Sequence, residues 1–348
     1  MSRMETIDIR SLTFEQLEHW IKERGQPAFH GRQIFRWLHA RSAATYAEMS
    51  DLSKTLRTDL ERDAPLRPIE IVDELTAEDG TIKFCFRLAD DQKIEGVFIP
   101  EEDRRTLCVS TQVGCGMGCA FCATGLLGFK RNLSAGEIVG QVETVSRRLR
   151  GPGRIHPISN IVFMGMGEPL ANLEAVVAAV QILLHPNGLG ISRRRVTVST
   201  AGLADAMEEF VQRAPVKLAV SLNATNDELR DRIMPINRRF PIAKLIECCR
   251  RLPLLRGERI TFEYVLLGGH NDSPEHARQL IKLLRGIRAK VNLIPFNPYP
   301  GLPFVRPDDS VVGEFRRILD EADISAFIRR SRGDSLQAAC GQLVAQAL

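Results

Sequence analysis

The sequence predicts an α/β fold built around a partial, TIM-like β/α barrel, preceded by a helical unit and a small antiparallel β attachment. Three observations predict it. After residue 105, strand-like and helix-like runs alternate about six times, the pattern of parallel strands with helices outside. No early strand runs into a Gly-rich nucleotide turn, which favours a barrel over a doubly wound sheet. The 348 residues exceed one average domain and are 44% hydrophobic, which allows a large core and excludes global disorder.

Residues 1–66 read as the helical unit. Thr13 and Gln16 form a capping-box pattern, and apolar Leu17, Trp20 and Ile21 follow at helical spacing until Gly25. A second helix holds Ile34, Phe35 and Leu38, a third runs near Leu56 and Leu60, and Pro65 and Pro68 close the unit. Across 67–104 the period becomes two: Ile82, Phe84, Phe86 and Leu88 alternate with polar or small residues, and Asp79-Gly80 supplies a hairpin turn. Another strand, 94–99, stops at Pro100. The barrel core spans 105–333. Its strands are expected at 106–110, 160–164, 195–199, 217–222, 260–266, 291–295 and, more weakly, 324–328. Helices are expected at 135–147, 173–184, 204–211, 242–252, 274–284 and 311–321. Residues 334–348 form a C-terminal segment.

The longest apolar stretch, 175–184, is too short to span a bilayer, and the N-terminus has no apolar signal core, so a cytoplasmic protein without a membrane partner is expected. The net charge of +4 does not by itself argue for nucleic acid. Of 47 cations, however, 38 are Arg, whose planar fork suits phosphates and base faces. Eight cysteines in such a chain point to metal or redox chemistry rather than a disulfide framework.

Barrel chemistry collects where strands end. The first strand leads into Gly114-Cys115-Gly116-Met117-Gly118-Cys119-Ala120-Phe121-Cys122, and the second into Gly165-Met166-Gly167-Glu168-Pro169. Later strands end near Ser199, at Ser221-Leu222-Asn223 and at Asn297. Cys115, Cys119 and Cys122 form C-x3-C-x2-C, three thiolates on a loop loosened by glycines and able to wrap one soft metal centre. A structural zinc needs a fourth protein ligand, and so does a four-Cys iron–sulfur site. No second CxxC is present to complete either, which leaves a distant fourth ligand or a three-ligand cubane with one open iron.

That spacing resembles the radical S-adenosylmethionine (SAM) superfamily, in which the open iron binds the amino and carboxylate groups of SAM. Longer motifs sharpen the likeness: T-L-C-V-S-T-Q-V-G-C from Thr106, G-F-K-R-N-L from Gly128, F-M-G-M-G-E-P-L from Phe163, M-P-I-N-R-R from Met234, F-E-Y-V-L-L from Phe262, N-L-I-P-F-N-P from Asn292, and R-x-S-R-G-D…A-A-C-G-Q-L ending at Leu343. Together they closely resemble the RlmN-type dual-specificity RNA methyltransferases, from about Phe29 to Leu343.

The resemblance implies a radical SAM barrel with one [4Fe-4S] cluster on Cys115, Cys119 and Cys122. SAM contacts fall at Gly167, Glu168, Ser199, Ser221, Leu222, Asn223 and Asn297. The implied reaction methylates carbon 2 of adenosine 2503 in 23S rRNA and of adenosine 37 in tRNA, consuming two SAM molecules. That carbon is electron-poor, so a radical route is needed. In the implied sequence Cys340 takes a methyl group from one SAM. A 5′-deoxyadenosyl radical from the second removes hydrogen from that methyl, and the resulting radical adds to the base. Glu95 then accepts the carbon-2 proton. Cys108 attacks the sulfur of Cys340, forming a transient disulfide and releasing RNA. A low-potential electron donor such as a flavodoxin is also implied.

Two departures from the family pattern stand out. Asn223 replaces a customary His, which keeps hydrogen bonding and loses basicity, and Ser335-Leu336-Gln337 replaces a more acidic stretch. Two rival readings remain: methylation at carbon 8 of adenine, as in the Cfr-type enzymes, and a non-catalytic iron–sulfur protein that binds RNA or senses redox state. The latter gives no reason for a separate carrier Cys340.

Overall fold

The computed structural model describes residues 7–151, 157–329 and 336–345. The Arg-rich run from Arg330 to Asp334, the 333/334 boundary and Ser335 lie outside them. Helices α1 (Phe14–Glu23), α2 (Ala28–Phe35) and α3 (Lys54–Asp63) form the N-terminal unit. The capping box at Thr13 is made as the sequence indicates, and Leu17, Trp20 and Ile21 are buried. This unit packs on the barrel through apolar residues and a buried charged cluster, in which Arg10 and His39 (Nδ1, 2.6 Å) both reach Glu143.

Next come β1 (Glu70–Thr76), β2 (Ile82–Arg87), β3 (Lys93–Pro100) and β4 (Arg105–Cys108). They pair antiparallel in order. Gly80, at φ +79°, makes the turn between β1 and β2. From β4 onward every pairing in the main sheet is parallel. A small hairpin, β5 (Gln112–Gly114) and β6 (Phe129–Asn132), flanks the short helix α4 (Ala123–Leu126), and α5 (Ala135–Arg148) follows. The remaining units are β7 (Asn160–Phe163), α6 (Leu173–Leu184), β8 (Val196–Thr200), α7 (Ala204–Arg213), β9 (Lys217–Ser221), α8 (Asp227–Ile233) and α9 (Ile242–Arg251). They continue with β10 (Ile260–Leu266), α10 (Pro274–Leu284), β11 (Ala289–Pro295), α11 (Asp309–Asp320) and β12 (Ala326–Ile328).

The ten-stranded sheet runs β1-β2-β3-β4-β7-β8-β9-β10-β11-β12, so β12 is an open edge among the described residues and the barrel is partial. Each expected strand and helix of the core is present within a few residues. The first strand ends earlier than expected, at Cys108, although the Val109 N–H still donates to Val162 O at 2.9 Å. Four elements were not expected, β5, α4, β6 and α8. All are short and three border the cysteine loop, where glycine and cysteine obscure periodicity.

Candidate active site

The C-terminal ends of the parallel strands surround a cavity of about 910 Å³, including its open mouth. One wall is the loop between β5 and α4, and Cys115, Cys119 and Cys122 all line it. The β5–β6 hairpin shapes this loop, with Cys115 N–H donating to Gly128 O at 3.0 Å. Gly114 has φ +73°, and a Cβ there would lie 1.9 Å from Gly128 O, so only glycine fits. The far side is pinned by Ala120 N–H donating to Ile233 O at 2.9 Å, at the end of α8.

Burial pushes the Cys119 thiol well above its ordinary range and Cys115 up to about 11, and repulsion from neighbouring thiols and Glu168 adds to both. Such thiols are poor free anions and good ligands for a cationic centre, which takes them deprotonated. Among the described residues no three Cys, His, Asp or Glu side chains converge as around a single ion. A cluster makes no such demand, because each iron takes its own sulfur. The donor set therefore fits a cluster held by Cys115, Cys119 and Cys122.

Opposite the thiols, Gly167 (φ +100°) packs against Gln112, where a Cβ would meet the Gln112 side chain at 2.5 Å. This close approach sets Glu168 into the cavity wall. One Glu168 oxygen accepts from Leu170 N–H at 3.0 Å and the other from Ala201 N–H at 2.7 Å, while burial raises its carboxyl. Ser199 donates to Glu263 at 2.8 Å, and Ser221 lines the same wall. Asn223 sits at φ +57°, a backbone conformation that Asn tolerates. Its Oδ1 accepts from Val265 N–H at 2.8 Å and its Nδ2 lies 3.2 Å from Met234 Sδ, so this amide builds the wall as well as facing the cavity. Asn297 is buried and also lines the cavity.

Leu222 departs from the expected set. Its side chain is in the hydrophobic core and does not line the cavity; period-two alternation turns it away from Ser221. Its backbone bonds to Glu263 O and accepts from Arg230 Nε, both at 3.0 Å.

Cys340, on the C-terminal segment, lines the cavity and is open to solvent there. Protein surrounds it on its other sides, so burial and then Glu263 push its thiol up to about 11. Its segment is held from several directions. Ala123 N–H donates to Gly341 O at 2.7 Å, Thr124 Oγ1 to Leu343 O at 2.5 Å, and Gln342 Nε2 to Pro298 O at 2.9 Å. Cys108, at the end of β4, is buried outside the cavity lining; burial, then the nearby Cys340, raises its thiol. Glu95 on β3 is also buried and off the cavity wall. Its carboxylate is 3.0 Å from Lys83 Nζ and accepts from Val344 N–H at 2.9 Å, so β2 and the C-terminal segment jointly hold it.

Two site residues escaped sequence reasoning. Glu263, on β10, accepts from Ser199 and acts electrostatically on the Cys340 thiol; its signal was a Glu in the apolar alternation of F-E-Y-V-L-L. Arg230, on the unexpected α8, is fully buried and donates to Ala201 O (2.8 Å), Ser221 O (3.1 Å) and Asn237 Oδ1 (3.0 Å). It ties the ends of β8 and β9 together, and burial lowers it to about 10 despite the opposing pull of Cys119.

Comparison with known proteins agrees with this geometry. Residues 109–281 match the radical SAM superfamily model, and residues 7–66 match the ribosomal RNA large subunit methyltransferase N-terminal domain. A radical SAM methyltransferase from Sphaerobacter thermophilus is 48% identical and superposes with TM-score 0.92, covering 98% of this chain and all of that one. The chain is a radical SAM methyltransferase in fold and site. The dual-specificity RNA methyltransferase RlmN of Syntrophobacter fumaroxidans is 50% identical over 99% of both chains. That of Anaeromyxobacter dehalogenans is 51% identical over 98% of this chain and 93% of its own. The chain belongs to the RlmN family of dual-specificity RNA methyltransferases.

Proposed function

We propose that this protein methylates carbon 2 of adenine in RNA, at adenosine 2503 of 23S rRNA and adenosine 37 of tRNA, with Cys340 as methyl carrier. The observation that carries the reading is that Cys340 opens onto the same cavity as Cys115, Cys119 and Cys122, with Cys108 close beneath. When bound, the [4Fe-4S] cluster and SAM supply the methyl group and the one-electron chemistry that an electron-poor carbon requires. Gly167, Glu168, Ser199, Ser221, Asn223 and Asn297 form the polar wall for SAM, and Leu222 contributes through its backbone.

The chain's own groups then divide the remaining work. Cys340 bears the methyl and becomes tethered to the base. Glu95 accepts the proton from carbon 2, a step worth about 10²–10⁴-fold in rate. Cys108 attacks the Cys340 sulfur, so the carbon–sulfur bond breaks as a sulfur–sulfur bond forms and the RNA leaves. Glu95 meets the C-terminal segment at Val344, so moving that segment would uncover the base. Residues 1–66, 67–104, 105–333 and 334–348 are the working units in this reading. A low-potential donor such as a flavodoxin supplies electrons. No helix among the described residues is long and apolar enough to cross a membrane, consistent with work in the cytoplasm.

The test is anaerobic. Iron and sulfide are reconstituted, the protein is reduced, and SAM is supplied with rRNA or tRNA carrying the target adenosine. Digestion and chromatography should yield 2-methyladenosine with 5′-deoxyadenosine. The 8-methyl isomer, or no methylated base, would overturn the reading.

A further inference from the structure

Strand alternation places a second polar layer below the catalytic cavity. Ser221 lines the cavity, so Lys217, four residues earlier on β9, faces the same lumen. Ile294 lines it on β11, so Lys290 follows by the same count. On β10, Glu263 lines the cavity and Arg259 lies four residues before it. Phe327 on β12 pairs in register with Asn292, placing it on the lumen face with Arg329 two residues further on.

Barrel interiors are ordinarily filled by branched aliphatic side chains. Here the lower mouth of the barrel carries cations instead, with Lys217, Arg259 and Arg329 exposed and Lys290 half-buried. Lys290 lies within electrostatic reach of Lys217, Arg259 and Arg329, and among the described residues no carboxylate forms an ion pair with any of these four. Burial first, then like-charged neighbours, pull both lysines below the ordinary range; those neighbours are Arg104 and Arg194 for Lys217, and Lys217, Arg329, Arg259 and Arg104 for Lys290. Arg259 donates to Ser325 Oγ at 3.3 Å, a neutral partner. Beside them Phe327 is 52% exposed on the open edge strand. An exposed aromatic ring among cations that form no ion pair within the described residues matches the pairing that binds single-stranded nucleic acid: a base stacks on the ring and phosphates take the charges. Arg329 connects this layer to the catalytic cavity, since it also acts on Glu263 and Cys340.

We propose that Phe327, Lys217, Arg259, Lys290 and Arg329 form an RNA-strand site along the open edge and lower mouth of the barrel, stacking one base and holding phosphates of the strand that flanks the target adenosine. This rests on the RNA-methylating reading above, and it names a surface for the strand that flanks the target base.

The test uses the full-length reconstituted protein and a tRNA transcript carrying the target adenosine, with affinity measured across a salt series. Phe327→Ala should weaken binding about tenfold, and Phe327→Trp should restore it, since stacking needs only an aromatic face. Lys217→Gln with Lys290→Gln should flatten the log–log salt slope by about 1.5. Formation of 5′-deoxyadenosine without RNA should stay at the wild-type level in all variants, showing that fold and SAM site are intact. Wild-type affinity and salt slope in both the Ala and the double Gln variant would overturn the site. So would variants that bind RNA normally but accept electrons slowly, because the surface would then serve a protein donor. If the unsubstituted protein fails to methylate adenine, the functional reading falls; if it methylates while the variants bind normally, only this surface falls.

Discussion

The cavity has two thiol-bearing walls, and they are built in opposite ways. The Cys115–Cys122 wall is mainly local: it closes through the β5–β6 hairpin and a glycine position that tolerates no Cβ, with one long-range bond from Ala120 to Ile233. The Cys340 wall is long-range. Its segment depends on two hydrogen bonds to α4, on one each to β2, β3 and the loop after β11, and on burial of Leu343 and Val344. A rigid wall suits a resident metal centre. A wall held by a few separable bonds suits a carrier that must meet a methyl donor, a base and Cys108 in turn.

Substitutions can break this contrast or sharpen it. The largest effect is expected at the rigid wall. Cys119→Ala should abolish iron retention and every downstream product, measured as lost visible absorbance and no 5′-deoxyadenosine. Retained cluster and cleavage would make the thiol dispensable. Next is the resolving thiol: Cys108→Ala should leave SAM cleavage intact and trap protein covalently on RNA, seen as a nuclease-sensitive mass shift, with multiple turnover reduced at least a hundredfold. A free, normally active variant would remove Cys108 from its role.

The contrast was only partly legible in the sequence. The local wall could be read because its three cysteines lie within eight residues and its glycines mark the turn. The parallel strands were legible for a similar reason, since buried strands and amphipathic helices carry their own periods. Cys340 could be placed only by resemblance, because no local pattern says where a terminal segment docks. Arg230 and Glu263 were missed because a buried charge declares itself through partners distant in the chain, here the backbone at Ala201 and Ser221 and the hydroxyl of Ser199. Leu222 came with Ser221 and Asn223 by resemblance alone, and its side chain packs into the core behind them.

Two smaller effects separate the walls further. In the reduced protein without its cluster, Cys340 should react with iodoacetamide faster than Cys108. It opens onto the cavity, whereas Cys108 is buried. The thiol of Cys340 is pushed up to about 11, so its thiolate fraction, and with it the rate, should rise about a hundredfold between pH 7 and 9. Peptide mapping would read this out, and a rate flat with pH would contradict the assigned environment. Smallest is Thr124→Val, which removes the buried bond to Leu343 O and costs about 1–3 kcal/mol of segment docking. Methyl transfer should slow several-fold and limited proteolysis of the segment should quicken, with cluster absorbance unchanged.

The most direct measurement is made on Cys340→Ala, reconstituted anaerobically and given SAM and target RNA. Reductive cleavage should continue, with 5′-deoxyadenosine accumulating, while no 2-methyladenosine forms. Formation of 2-methyladenosine by that variant would contradict the account, because the methyl would then reach the base without passing through this thiol.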